Sequence, residues 1–246
     1  MLRGIHRHGE IDGDGFRLRG VDHVYRIESL SDGVFAFVVT LLVVSLTVPD
    51  TFDDLLKSLA GAAGFALSFA LMVQFWAIQN RYFRRYGLHD RTTIALTAVL
   101  LFLVILFTYP LKFLVRLLVD FSGGASLATG AIRPDQIWLL FLIYGLGYAG
   151  VFFIFGALYR HAGSQADALD LTPRERVLTG ESAERAFGQI VAPAASIALA
   201  AGLHFAGHDG LVGPVAGFVY PLVIMSAIWF SKRRAGRALR ALGDEG

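Results

Sequence analysis

The sequence has no cysteine among its 246 residues. That excludes disulfides, thiol nucleophiles and cysteine-ligated zinc or iron–sulfur centres. Charge is scarce as well. Asp, Glu, Lys and Arg make up 17% of the chain, against about 25% in ordinary soluble domains. Histidine is limited to seven residues, and His161, His204 and His208 fall at predicted helix ends. There is no His-Glu-x-x-His, no Gly-x-Ser-x-Gly and no pair of carboxylates within an apolar run. The expectation is therefore no catalytic residue, no metal site, no cofactor and no enzymatic role. A net charge of +2 gives no reason to expect a nucleic-acid partner.

What the chain has instead is apolar length. Hydrophobic residues reach 55% and the mean hydropathy is +0.57. Six apolar runs stand out, at 30–48, 55–78, 93–115, 137–158, 187–205 and 211–230. A bilayer core of about 30 Å is crossed by roughly 20 helical residues. Lipid offers the backbone no hydrogen-bond partner, so such runs are read as helices. They do not alternate as barrel strands would. The fold class expected is an all-α polytopic membrane protein with six transmembrane helices.

Basic residues orient the spans. Eighteen of the 22 Lys and Arg fall in the N-terminal region to Arg26, the second-to-third connection, the fourth-to-fifth connection and the stretch from Lys232 onward. A six-span layout puts these four regions on one side, and the positive-inside rule makes that side cytoplasmic, N-in and C-in. The organisation expected is a polar cytoplasmic tail over 1–25, a six-helix domain over 26–231 and a basic cytoplasmic tail over 232–246. The first twenty residues lack the apolar core of a secretory signal.

Smaller signals refine the layout. Thr172-Pro173, with Glu175 three residues after the threonine, is a helix start and predicts a short surface helix in the fourth-to-fifth connection. Pro110, Pro193, Pro214 and Pro221 lie within spans and predict kinks. Gly145, Gly147 and Gly150 predict close helix packing. No internal repeat supports an inverted-repeat transporter.

One charge needs a partner. Asp32 lies about a turn inside the first span, where an isolated carboxylate is costly unless it meets protein or water. Arg26 is six residues away, roughly 240° around the helix, and the two cannot share a face. The partner is expected on another helix or through Ser31, with Trp76, Gln79 and Asn80 as candidates. An interfacial aspartate that snorkels remains the alternative. Further along, Gly33, Phe37, Leu41, Val44 and Val48 form one helical stripe bordered by Thr40. On pattern alone such a stripe is more often a packing face than a pore lining.

Arg26-x-x-x-Leu30-Ser31-Asp32 followed by Gly33-Val34-Phe35-Ala36, then Thr40-Leu41-Leu42-Val43, resembles the first-helix signature of the transmembrane protein 175 family of potassium channels. Phe75-Trp76-x-x-x-Asn80-x-x-Phe83 is similar to that family's second-to-third helix region. The resemblance implies a potassium-selective channel subunit in a multi-pass inner (plasma) membrane location, assembled as a homotetramer in the lipid bilayer. It implies that the first helix lines a central pore, with constriction rings at Phe37, Leu41 and Val44 and a selectivity-linked position at Thr40. Arg26, Ser31, Asp32, Trp76 and Asn80 would form a polar network, and K⁺ would be the permeant ion rather than a cofactor. Leu30 replaces the motif phenylalanine, and Phe37 stands where an aliphatic residue is usual. The competing readings are a proton-coupled secondary transporter that titrates Asp32 and a non-conducting membrane scaffold.

Overall fold

Apolar runs bounded by capping and breaking residues fold here as long helices. The computed structural model describes residues 10–21, 25–44, 50–52, 56, 62–122 and 133–217. Helix α1 spans Arg26–Val44, α2 Ala62–Tyr86 and α3 Arg91–Ser122. A 3₁₀ turn at Pro134–Gln136 leads into α4, Ile137–Ser164. Then come α5, Pro173–Gly188, and α6, Val191–Phe205. Residues 209–217 are helical again. The described residues contain no strand beyond an isolated bridge between Ile11 and Arg17. Five of the six apolar runs overlap helices among the described residues. The sixth is described only to residue 217, and Pro221 and the tail from 232 lie outside the described residues.

Local chemistry sets the boundaries. Arg84 and Arg85 close α2 where its carbonyls concentrate negative charge. Gly87, at φ +58°, supplies the left-handed residue that ends it. Asp90 starts α3 by accepting the Thr92 N–H at 3.1 Å and the Thr93 hydroxyl at 2.5 Å. Thr172 and Glu175 form a reciprocal capping box at the start of α5. The break at residues 189–190 has a cause four positions on. Pro193 cannot donate to the Gln189 carbonyl and its ring crowds it, so the helix tightens into a turn between α5 and α6 while Gln189 and Ile190 keep helical angles.

Among the described residues, three helical stretches are long and apolar enough to cross a membrane: Arg91–Leu111, Pro134–Ser164 and Pro173–Phe205. Helix α4 is the central one. An added Cβ at Gly147 would lie 2.2 Å from the Phe107 ring of α3, and one at Gly145 would lie 2.7 Å from Ile197 of α6. The small residues therefore admit a neighbour on each side. Helices in lipid gain little from the hydrophobic effect and associate through this kind of close fit. Against α2, α4 packs by an aromatic ladder. Phe75 meets Phe152 edge-on at 5.8 Å, and Tyr82 meets Tyr159 at 5.6 Å. Each such pair contributes about 0.5–1.5 kcal/mol beyond its buried area.

The segment read from sequence as part of a polar tail is ordered over residues 10–21. Phe16 is 0% exposed, edge-on to Tyr86 at 5.4 Å, with the Arg85 guanidinium 4.9 Å from its ring centre. A single aromatic among charged residues gives no periodic signal, yet it packs fully buried against the end of α2. The basic residues around it, Arg17, Arg19 and Arg85, are each paired with a carboxylate.

Candidate functional site

Helix α1 has two unlike faces. Ser31, Phe35, Val38 and Leu42 are buried against the bundle. Asp32, Gly33, Ala36, Phe37, Thr40 and Val43 are exposed, as is Leu30. Phe37 is 56% exposed, and Leu41 lies half-buried at the edge of the exposed face. The side chain of Val44 lies outside the described residues. The Thr40 hydroxyl donates to the Ala36 carbonyl at 2.9 Å, and the Ser31 hydroxyl donates to the Ile27 carbonyl at 2.7 Å. These bonds let the helix carry hydroxyls on either face without orphaned donors.

The polar cluster at the start of α1 is built with α2. The Trp76 indole N–H donates to Asp32 Oδ1 at 2.8 Å, and the Gln79 amide donates to the Ser31 hydroxyl at 3.1 Å. Residues 76 and 79 stand three apart and face α1 together. The antiparallel run of α1 and α2 places them beside consecutive residues 31 and 32. Among the described residues, Arg26 and Asn80 make no hydrogen bond or ion pair with this cluster. Asn80 instead lines a cleft of about 730 Å³ with Arg81, Arg84 and Asp12. Trp76 separates that cleft from a smaller groove of about 290 Å³ between α1 and α2, lined by Asp32, Phe35, Val39 and Met72.

A second polar cluster, not foreseen from sequence, lies beyond α2. Glu175 Oε1 accepts the Arg17 backbone N–H at 2.9 Å and its Nε at 3.1 Å. Glu175 Oε2 accepts Arg17 Nη2 at 3.0 Å, Arg19 Nη2 at 2.8 Å and the Thr172 N–H at 2.9 Å. Burial opposes ionisation of Glu175, but these donors overcome it and hold its carboxyl far below the usual carboxylate range. Arg85 Nε donates to Asp12 at 2.7 Å, and Arg85 also pairs with Asp14. His161 Nε2 lies 3.0 Å from Asp90 Oδ2. Burial raises the Asp90 pKa, but bonds from Thr93 and His161 bring it down to about 2. The legible sign was the Glu175 capping box, which announces a helix start and says nothing of the two arginines.

This arrangement presents one mostly apolar helical face, pinned from behind by polar contacts. It offers a surface for a ring of copies or for lipid. The family model described as endosomal/lysosomal potassium channel TMEM175 matches residues 26–107. A potassium channel of Marivirga tractuosa is 39% identical over 170 residues, which cover 65% of this chain and 67% of that one. A potassium channel of Chamaesiphon minutus is 30% identical over 156 residues, 58% of this chain and 68% of that one. A crystal structure of a variant of the potassium channel MtTMEM175, in complex with a nanobody fusion, matches with a TM-score of 0.74 and 31% identity. The match covers 92% of this chain and 100% of that one.

Proposed function

Because this chain belongs to the TMEM175 family of potassium channels, we propose that it conducts K⁺ as a homotetramer whose four copies of α1 surround a shared pore. One copy of a helix cannot enclose a path, whereas a closed symmetric ring can. The observation that carries the reading is the exposure of Phe37 on a helix whose opposite face is fully packed. Phe37, Leu41 and Val44 form successive apolar constrictions, and Thr40 stands beside them as the hydroxyl that tunes selection. A narrow apolar ring gates by dewetting, and it passes the more easily dehydrated K⁺ ahead of Na⁺. Ser31 and Asp32 hold α1 in register through Gln79 and Trp76, with Arg26 and Asn80 completing the network in the assembled ring. The unit spans an inner plasma membrane six times over 26–231. Its basic end, with tails 1–25 and 232–246, faces the cytoplasm.

The test is flux. Protein reconstituted in liposomes with a K⁺ gradient is expected to show passive K⁺ movement exceeding that of Na⁺. Phe37→Ala widens the narrowest ring, so it is expected to raise K⁺ flux at least several-fold and to weaken the preference over Na⁺. Flux that saturates and requires a proton gradient would instead identify a carrier. A conducting protein indifferent to Phe37→Ala would move the constriction elsewhere.

A further inference from the structure

We propose that residues 10–21 are a clamp that positions the pore helix, with Glu175 as the positioning residue at its centre. This rests on α1 lining the pore. A capping glutamate ordinarily serves the first turn of its own helix and stays in water. Glu175 is 1% exposed and gives both oxygens to Arg17 and Arg19, more than 150 residues earlier in the chain. The strap that carries these arginines is fixed at three further points. Phe16 is fully buried beneath Arg85. The Arg19 and Gly20 N–H groups both donate to the Arg84 carbonyl at 3.1 Å. Gly20 lies so close to α2 that a Cβ there would come within 2.1 Å of the Phe83 carbonyl oxygen.

The strap leads toward α1. Tyr25 stacks on His89 at 4.1 Å, and its carbonyl accepts the Glu28 and Ser29 N–H groups as the first turn begins. The start of α1 is thereby fixed to the α2–α3 connection, and the strap before it is fixed to α5. Phe37 stands eleven residues above Arg26, about 16 Å along the helix. The strap is bonded to Arg84 and the first turn of α1 is seated on His89, so a turn of α1 that swings the Phe37 ring out of the pore axis strains contacts at the same end of α2 that the clamp holds. The clamp therefore favours the resting position, in which the phenyl rings narrow the path.

Glu175→Gln keeps the side chain's size and removes its charge. In that variant, hydrogen exchange at the amides of residues 10–20 is expected to speed at least tenfold. K⁺ flux through protein of unchanged subunit number is expected to rise at least threefold. The K⁺/Na⁺ preference is expected to hold, because the constriction side chains are untouched. Phe16→Ala releases the strap from its other face and leaves the α5 cap intact, so it is expected to act the same way and decides the matter if Glu175→Gln fails to assemble. Strap amides that stay protected in both variants overturn the clamp. A released strap with unchanged or reduced flux overturns its positioning role. Wild-type protein that carries no K⁺, with strap amides responding as stated, sinks the channel reading and leaves the clamp standing.

Discussion

The basic end of the bundle and the crossing of α3, α4 and α6 are held by different physics. At the basic end, Arg17, Arg19 and Arg85 meet Glu175, Asp12 and Asp14 in bonds whose partners are dictated by charge and direction. At the crossing, Gly145 and Gly147 admit Ile197 and Phe107 by shape, with a directional bond from the Tyr144 hydroxyl to the Pro110 carbonyl beside them. Directional bonds specify which segment docks and in what register. Shape fit fixes how near two helices lie and tolerates no added bulk. The molecule uses the first where its segments are polar, and the second where lipid would weaken any apolar preference.

The largest break in this contrast comes from Glu175→Ala, which takes the shared carboxylate from Arg17 and Arg19 and leaves them the Asp170 and Leu169 contacts. Removing one member of a fully buried ion pair costs about 3–5 kcal/mol. The Arg17 side chain is 41% exposed, so about 2–3 kcal/mol is expected here, read as a lowered thermal midpoint of the purified assembly. At the crossing, Gly147→Ala inserts one methyl against the Phe107 ring and is expected to cost about 1–3 kcal/mol, without altering the exchange of strap amides. Acid separates the two regions without mutation. Glu175 and Asp90 have folded-state pKa values below their unfolded ones, so their contribution is complete above the unfolded values. It is lost as pH falls through the folded values. The thermal midpoint is expected to drop as pH is lowered from about 4.5 to about 2, and to drop less in Glu175→Gln. The smallest effect on stability is Thr40→Ala. Among the described residues its hydroxyl bonds to its own helix alone, on an exposed face, so a change within about 0.5 kcal/mol is expected. An altered K⁺/Na⁺ flux ratio would mark it as a pore residue.

Much of the helical layout was legible because lipid imposes a length on any crossing segment. The boundaries were less so. Helix α2 continues to Tyr86, well past the end of the apolar run at Ile78, because a helix capped by Arg84, Arg85 and Gly87 persists in water once packed. The Asp32 contact was legible as a deduction. A six-residue separation forbids Arg26, which directs attention to another helix, where Trp76 is found. Arg26 and Asn80, named alongside it, stay apart from it in the single chain. The strap was illegible because burial of one phenylalanine and pairing of three arginines depend on segments far away in sequence. Composition records such residues only as polar tail.

The interruption between α5 and α6 has a mechanical consequence. An unbroken rod transmits torque along its length, whereas a jointed one transmits mainly push and pull. Gln189 sits at this joint, and its side-chain oxygen takes a hydrogen bond from the Tyr148 hydroxyl at 3.1 Å, so the pivot is seated on α4 like a bearing. Gln189 and Ile190 keep helical backbone angles, so the joint is a tightened turn, and twist applied to α5 is expected to relax there in part against Tyr148 before it reaches α6.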